Sequence, residues 1–179
     1  NGFIKISNLI SKKNVKILKQ DLECFLEKNK SLFSDRDINF TKNKVINSVH
    51  NLSNWNWVAK LQNNNFIRNI ISALLKDQIS NFGAELFFKQ KKDGLAVPIH
   101  QDNYYWCLKD PNAVTVWIAL DKADKTNGGI FYHKGSHLIG LLEHERSMVP
   151  GSSQKIKYPR GLDKFRKIYP KLNIGRFIN

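Results

Sequence analysis

The sequence has few cysteines, few acidic residues and no long hydrophobic run. Its two cysteines, Cys24 and Cys107, are too few and too far apart to indicate a disulfide framework or a zinc knuckle. No apolar run approaches the ~20 residues that span a bilayer. The first residues, 1–5, also lack the charged-then-apolar plan of a signal peptide. These absences predict a cytoplasmic protein with reduced thiols and no membrane partner.

Acidic residues are outnumbered by basic ones. There are 29 Lys and Arg residues against 15 Asp and Glu residues, a formal net charge of +14. A surface this positive attracts phosphates, carboxylates and nucleic acids without selectivity. Half of the excess falls in the basic tail, residues 147–179, which we interpret as a solvated terminal segment in preference to an anion-binding surface. Two prolines and little periodicity predict mostly loop over residues 151–179.

The first half of the chain has helical patterns. Apolar residues recur at three- and four-residue spacings over residues 11–28, with Ser11 available as an N-cap, and again over residues 65–76. Both segments are therefore predicted to be amphipathic helices. Residues 29–44 are polar and irregular. Residues 45–61 have no clean periodicity, and we predict partial helix over that segment only.

The second half has strand patterns. Short apolar and aromatic runs alternate with turn residues, and the predicted strands are residues 84–90, 96–102, 113–120 and 129–133. Helices followed by strands predict a single α+β domain whose sheet forms a sandwich or barrel. We divide it into a helical part (1–77), a strand-rich core (78–146) and the basic tail (147–179).

One pair of residues has the spacing of metal ligands. His100 and Asp102 are two residues apart in a predicted strand, so their side chains would point to the same side and could chelate one cation. A nonheme Fe(II) site needs such a pair and one further histidine. With five histidines and 15 acidic residues in the chain, the spacing alone is a weak signal.

The surrounding sequence makes the signal more specific. Several motifs occur together in the order of the phytanoyl-CoA dioxygenase family, which the chain resembles most closely over residues 82–153. They include the Pro-Ile-His-Gln-Asp stretch around His100, the Thr-Val-Trp-Ile-Ala-Leu run around Trp117, the Asn-Gly-Gly turn before Ile130, and the Gly-Ser-His turn that ends at His137.

The resemblance implies a double-stranded β-helix, or jelly roll, with flanking N-terminal helices. It implies a dioxygenase that uses Fe(II) and 2-oxoglutarate to hydroxylate an aliphatic carbon of a small or acyl substrate. His100 and Asp102 match the first two iron ligands, Trp117 matches a position lining the 2-oxoglutarate site, and Tyr104 and Trp106 fall among pocket aromatics. The positive charge weakly favours an anionic substrate. Core packing is the alternative for these aromatics, and the favoured one for Tyr105.

The other histidines are interpreted as structural. His137 belongs to the family's Gly-Ser-His turn, which precedes the strand with the distal ligand and does not supply it. His133, His144 and His50 are expected to be solvent or core histidines.

The sequence departs from the family near Asn179. In the family a Gly-Asp turn introduces the distal histidine, and an arginine that binds 2-oxoglutarate follows, whereas here Arg176 stands at the acid position and neither residue follows. Either the chain is truncated or it is a degenerate member, and in both cases we expect residues 1–179 alone to turn over 2-oxoglutarate poorly. The alternative functions are an inactive jelly-roll binding module and, less favoured, a basic nucleic-acid-binding protein with no specific motif.

Overall fold

The computed structural model describes residues 1–157. The predictions for residues 158–179, including most of the basic tail, lie outside the described residues. In chain order the helices are α1 (Lys12–Lys28), α2 (Asn56–Gln62), α3 (Asn65–Leu75) and α4 (Asn103–Trp106). The strands are β1 (Ile38–Phe40), β2 (Ile46–Val49), β3 (Leu86–Phe87), β4 (His144–Val149) and β5 (Ser152–Ile156).

Both predicted amphipathic helices form. Ser11 caps α1, its side chain accepting the Asn14 N–H at 3.2 Å. The Asn64 side chain caps α3 by accepting the Ile67 N–H at 3.1 Å. These side chains satisfy backbone donors that would otherwise lack partners in the first turn.

The core lies against α1. Its buried side chains come from α1, from β2, from the segment that leads into α2 and from α2 itself: Leu18, Leu22, Val49, Leu52, Trp55 and Val58. The Trp55 indole N–H donates to the Asp21 carboxylate at 2.8 Å, which satisfies the one polar atom of this large side chain. The core therefore fixes α1 relative to the first sheet.

The described residues contain two small antiparallel sheets. One has the order β1-β2-β3, and the other is the β4–β5 hairpin, in which His144 pairs with Ile156. The mixed helix and sheet content is as predicted. Neither sheet closes, so a jelly roll is not seen among the described residues.

Most of the strand predictions are wrong in position. Within residues 84–90 only Leu86–Phe87 pairs, and residues 96–102, 113–120 and 129–133 form no strand. A strand needs a neighbouring backbone to pair with, and alternation of side chains cannot show that such a neighbour is present.

Strands form instead where loop or helix was predicted. β1 lies in the polar segment, β2 lies in the segment predicted to be partly helical, and β5 lies in the predicted terminal loop. The β1–β2 connection is short and includes Lys44 at φ 59°, a left-handed turn conformation. No helix in residues 1–157 is long and apolar enough to cross a membrane.

Candidate metal centre

His100 and Asp102 lie side by side. His100 Nε2 is 3.2 Å from Asp102 Oδ1, although residues 96–102 do not form the predicted strand. Asp102 has helical backbone angles (φ −56°, ψ −36°) and begins the turn of α4. The chain therefore bends at Asp102, and this bend, not strand alternation, brings the two side chains together.

Each member of the pair has a second partner that orients it. His100 Nδ1 is 2.8 Å from the Pro98 carbonyl oxygen, so a ring with its proton on Nδ1 donates there and turns the Nε2 lone pair towards Asp102. The Thr115 hydroxyl donates to Asp102 Oδ2 at 2.5 Å, which leaves Oδ1 facing His100. Outer partners of this kind fix the orientation of metal ligands in proteins.

The electrostatics of the pair are those of a half-buried ion pair. The hydrogen bond with Asp102 raises the pKa of His100, the Pro98 carbonyl adds to this, and burial opposes it. The hydrogen bonds from His100 and Thr115 lower the pKa of Asp102 against the opposing effect of burial. The position between Nε2 and Oδ1 therefore favours a proton, and a cation bound there would compete with it.

The donor set fits a divalent cation. Imidazole nitrogen and carboxylate oxygen suit iron, and with bonds of ~2.1 Å two adjacent ligands of one ion lie ~3 Å apart. The observed 3.2 Å matches that separation. Among the described residues, however, no group of three or more His, Cys, Asp or Glu side chains is placed to hold a metal. Within residues 1–157 the pair could therefore supply two ligands and no more.

Tyr105, which we interpreted as core packing, is the aromatic residue against the pair. Its ring lies edge-to-face on His100, with centroids 5.7 Å apart. The phenol accepts the Gln154 backbone N–H of β5 at 2.9 Å, which ties this ring to the hairpin. Burial, and to a smaller extent the negative charge of Asp102, raise the pKa of the Tyr132 phenol above its usual value. Tyr105 is therefore a residue of the candidate site that sequence reasoning assigned to core packing.

Among the described residues, no ring contact or side-chain hydrogen bond joins the rings of the predicted pocket aromatics to the His100 or Asp102 side chains, and two of them pack on other rings. Tyr104 stacks on His144, and Trp106 packs against Phe82 with centroids 5.7 Å apart. Trp117 is 44% exposed, and no hydrogen bond or ring contact within the described residues joins it to the pair. The roles proposed for these three aromatics at the 2-oxoglutarate site stay predictions.

Gln101, between the two candidate ligands, anchors their turn to a neighbouring loop. Its side-chain amide donates to the Gly140 carbonyl oxygen at 2.8 Å and accepts the Leu142 N–H at 2.7 Å. The Ile156 N–H of β5 donates to the Ile99 carbonyl oxygen at 2.8 Å. Because these hydrogen bonds engage its side chain, Gln101 supports the turn and is not a candidate ligand. His100 and Asp102 are the two side chains of this turn that face each other.

The comparisons with known proteins agree with these motifs. The family model described as phytanoyl-CoA dioxygenase matches residues 1–168, so the chain belongs to the phytanoyl-CoA dioxygenase family. A rice (Oryza sativa subsp. japonica) protein, phytanoyl-CoA dioxygenase 1, is 43% identical over 54 residues. That match covers 30% of this chain and 19% of the rice protein, so the chain aligns with only about a fifth of its relative's length.

Proposed function

We propose that this chain is an Fe(II)- and 2-oxoglutarate-dependent dioxygenase that hydroxylates an aliphatic C–H bond of a small or acyl substrate. The observation that carries the proposal is the 3.2 Å approach of His100 Nε2 to Asp102 Oδ1, with each side chain oriented by an outer partner. Membership of a dioxygenase family supports the same reaction class. The net charge of +14 favours an anionic substrate.

His100 and Asp102 would hold the iron. The iron, with 2-oxoglutarate as cosubstrate, would supply the activation of dioxygen for the hydroxylation. His100 ligates only as a neutral ring, and the Pro98 carbonyl favours the tautomer with the proton on Nδ1. Thr115 would hold the outer oxygen of Asp102, so that the carboxylate keeps one orientation while ligands exchange.

The aromatic residues around the pair would shape the space next to the cation. Tyr105 covers one side of the His100 ring and reduces its contact with water. We retain Trp117, Tyr104 and Trp106 as candidate residues of the 2-oxoglutarate site, on the family resemblance.

The proposed compartment of the protein is the cytoplasm. Its two free cysteines, Cys24 and Cys107, are consistent with a reducing environment.

Metal titration tests the proposal. Wild type should bind one Mn(II), a redox-stable substitute for Fe(II), and His100→Ala and Asp102→Ala should each weaken binding at least about tenfold by removing a ligand. The control is His50→Ala, because His50 forms a similar pair with Glu85 at 3.0 Å elsewhere in the chain. Absence of Mn(II) binding by wild type, or equal losses in all three variants, would contradict the proposal.

A noncatalytic binding module of the same family is the second candidate function. It is favoured by the lack of a third suitably placed ligand among residues 1–157. Succinate formation from 2-oxoglutarate, with Fe(II), ascorbate and air, separates the two candidates. A metal-binding chain that forms no succinate, alone or when extended through its reading frame, would be such a module.

A further inference from the structure

His144, the first residue of β4, has both ring nitrogens engaged. Its Nε2 lies 3.0 Å from the Gln101 backbone nitrogen and accepts that N–H. Its Nδ1 lies 2.8 Å from the Leu142 carbonyl oxygen, to which it donates. An imidazole that accepts at one nitrogen and donates at the other is neutral and has a single tautomer. His144 is therefore not available as a metal ligand in this arrangement.

The ring of His144 is also packed on its face. It stacks on Tyr104 with centroids 4.1 Å apart and an interplanar angle of 24°, and the residue is only 6% exposed. Gln101 immediately precedes Asp102, and Tyr104 lies two residues after it. A single buried side chain thus contacts the backbone on one side of Asp102 and a helix side chain on the other.

The residues just before β4 hold Gln101 through further hydrogen bonds. The Gln101 side chain bonds to Gly140 and Leu142, which lie just before β4, while its backbone N–H is bonded to His144. These three bonds hold the residue between the two candidate ligands from both its backbone and its side chain. A rotation of this turn that separated His100 from Asp102 would break them.

We propose that His144 is a positioning residue that holds the turn from His100 to Asp102 in its chelating shape. This rests on the proposed metal-binding function. His144 acts through the Gln101 backbone and does not touch the cation. Removing its acceptor leaves the Gln101 N–H without this partner, so the two ligands are held less firmly.

Two substitutions of His144 separate hydrogen bonding from packing. His144→Phe keeps an aromatic ring against Tyr104 but removes both hydrogen bonds, and His144→Gln restores an amide acceptor and donor. We expect His144→Phe to raise the Kd for Mn(II) about tenfold, and His144→Gln to recover part of that loss. The matched control is His137→Phe, a histidine of the preceding turn that is exposed and is not bonded to Gln101.

A second readout does not depend on metal. In the metal-free protein the backbone amide hydrogen of Gln101 should exchange with deuterium at least about tenfold faster in His144→Phe than in wild type. The ring nitrogen shifts of wild-type His144 should show the neutral tautomer protonated at Nδ1, a measurement that needs no variant. A protonated ring, or the tautomer with its proton on Nε2, would overturn the proposal.

The outcomes separate the two proposals. If His144→Phe folds, binds Mn(II) as wild type does and keeps the Gln101 amide protected, the positioning role is wrong. If wild type binds no Mn(II) while the Gln101 amide loses protection in His144→Phe, the metal-binding function fails and the structural role of His144 at this turn stands.

Discussion

The two carboxylate oxygens of Asp102 have different neighbours. Oδ1 faces His100 Nε2, and Oδ2 accepts the Thr115 hydroxyl at 2.5 Å. A carboxylate free to rotate would present either oxygen, and each rotation would change its distance from His100. Thr115 therefore selects the oxygen that faces the candidate cation position.

Thr115→Val should weaken Mn(II) binding with little effect on folding. Valine keeps the shape of threonine but cannot donate to Asp102, and loss of an outer partner costs about tenfold in metal affinity. Thr115 is exposed, so we expect the free energy of unfolding to change by less than about 0.5 kcal/mol. Calorimetric titration with Mn(II) and chemical denaturation measure the two quantities.

Thr126→Val is the matched control for this prediction. The Thr126 hydroxyl donates to Asp124 Oδ1 at 2.5 Å, the same kind of bond outside the His100–Asp102 pair. This variant should leave Mn(II) affinity unchanged. Equal affinity in Thr115→Val and wild type would show that Asp102 does not depend on Thr115 for its orientation.

A second histidine–carboxylate pair has a different consequence. His50 Nδ1 lies 3.0 Å from Glu85 Oε1, and His50 Nε2 lies 3.0 Å from the Ser48 hydroxyl. The order Ser, His, Glu is that of a hydrolytic triad, but Ser48 has no exposed surface. A nucleophile must reach its substrate, so the cluster is structural and links β2 to the residue before β3.

This pair predicts a pH-dependent contribution to stability. The hydrogen bond with Glu85 raises the pKa of His50 above 6.5, against the effect of burial. The stabilisation that the His50–Glu85 pair provides is therefore fully present below the pKa of His50 in the unfolded chain. It is lost as the pH rises through the pKa of His50 in the folded protein. Glu85→Gln should lower the free energy of unfolding by up to ~1 kcal/mol near pH ~6 and by much less near pH ~9.

The control for this pH dependence is a pair with a lysine. Lys155 Nζ lies 3.1 Å from Glu145 Oε1, and lysine stays charged across this pH range. Glu145→Gln should therefore have the same small effect at both pH values. A loss in Glu85→Gln that does not change with pH would mean that His50 is not charged in the folded protein.

Some residues of the candidate site can be recognised from the sequence, and others only from the structure. Spacing and neighbouring motifs were enough to indicate His100 and Asp102 as candidate ligands, because both lie on one short segment. Thr115, Tyr105 and His144 could not be recognised in this way, because their roles depend on loops that bring distant positions together. Tyr105 is next to Tyr104 in sequence, and only the turn of α4 decides which ring meets His100.

The element that supports the site is the β4–β5 hairpin. One end contacts the segment of the candidate ligands, where His144 accepts from the Gln101 N–H and the Ile156 N–H donates to the Ile99 carbonyl oxygen. The other end contacts the first sheet, where the Asn47 side chain donates to the Pro150 carbonyl oxygen at 2.7 Å. The hairpin thus connects β2 to the candidate metal centre.

Gly151 allows the tip of the hairpin to lie directly on Ser48. It has φ +71°, and a Cβ added there would lie 2.1 Å from Ser48 Oγ. Gly151→Ala should therefore add a steric clash to the backbone strain of a left-handed residue, which alone costs ~1 kcal/mol. We expect the loss in free energy of unfolding to exceed about 2 kcal/mol, measured by chemical denaturation.

Gly140→Ala separates the two contributions. Gly140 has the same φ of +71°, but a Cβ there would meet nothing within 4 Å. Gly140→Ala should therefore lower the free energy of unfolding only by the backbone strain, ~1 kcal/mol. Similar losses in both variants would show that Ser48 moves aside and that the hairpin tip is not tightly docked.

Helices were easier to predict than strands for a physical reason. α1 and α3 satisfy their backbone groups internally, and their caps and apolar spacing lie within one segment. Strands depend on partners: Ile46–Val49 pairs with strands on both sides and buries polar residues, so it lacks the alternation expected of a half-buried strand. Residues 113–120 have apolar runs but no pairing among the described residues.

On the scale of the whole molecule, the buried hydrophobic core and the candidate metal centre are formed by different parts of the chain. Every buried hydrophobic side chain of the described residues lies between Leu18 and Ile67, whereas the candidate ligands come later. Several large apolar side chains near the site sequence are exposed, including Ile99, Val116 and Trp117. The site within residues 1–157 is therefore shaped mainly by hydrogen bonds, which explains why single polar substitutions are its sharpest tests.

The net charge of the whole chain makes a separate prediction about nucleic acids. With 29 basic and 15 acidic residues, the protein should bind DNA, RNA and heparin with similar affinity at low salt, because each is a polyanion. Binding that depends on counterion release should weaken more than about tenfold between ~50 and ~200 mM NaCl. Fluorescence anisotropy with labelled single- and double-stranded oligonucleotides, with heparin as competitor, measures this. Sequence-dependent binding that survives at ~200 mM NaCl would instead favour a nucleic-acid-binding function, because base contacts depend less on salt than phosphate contacts do.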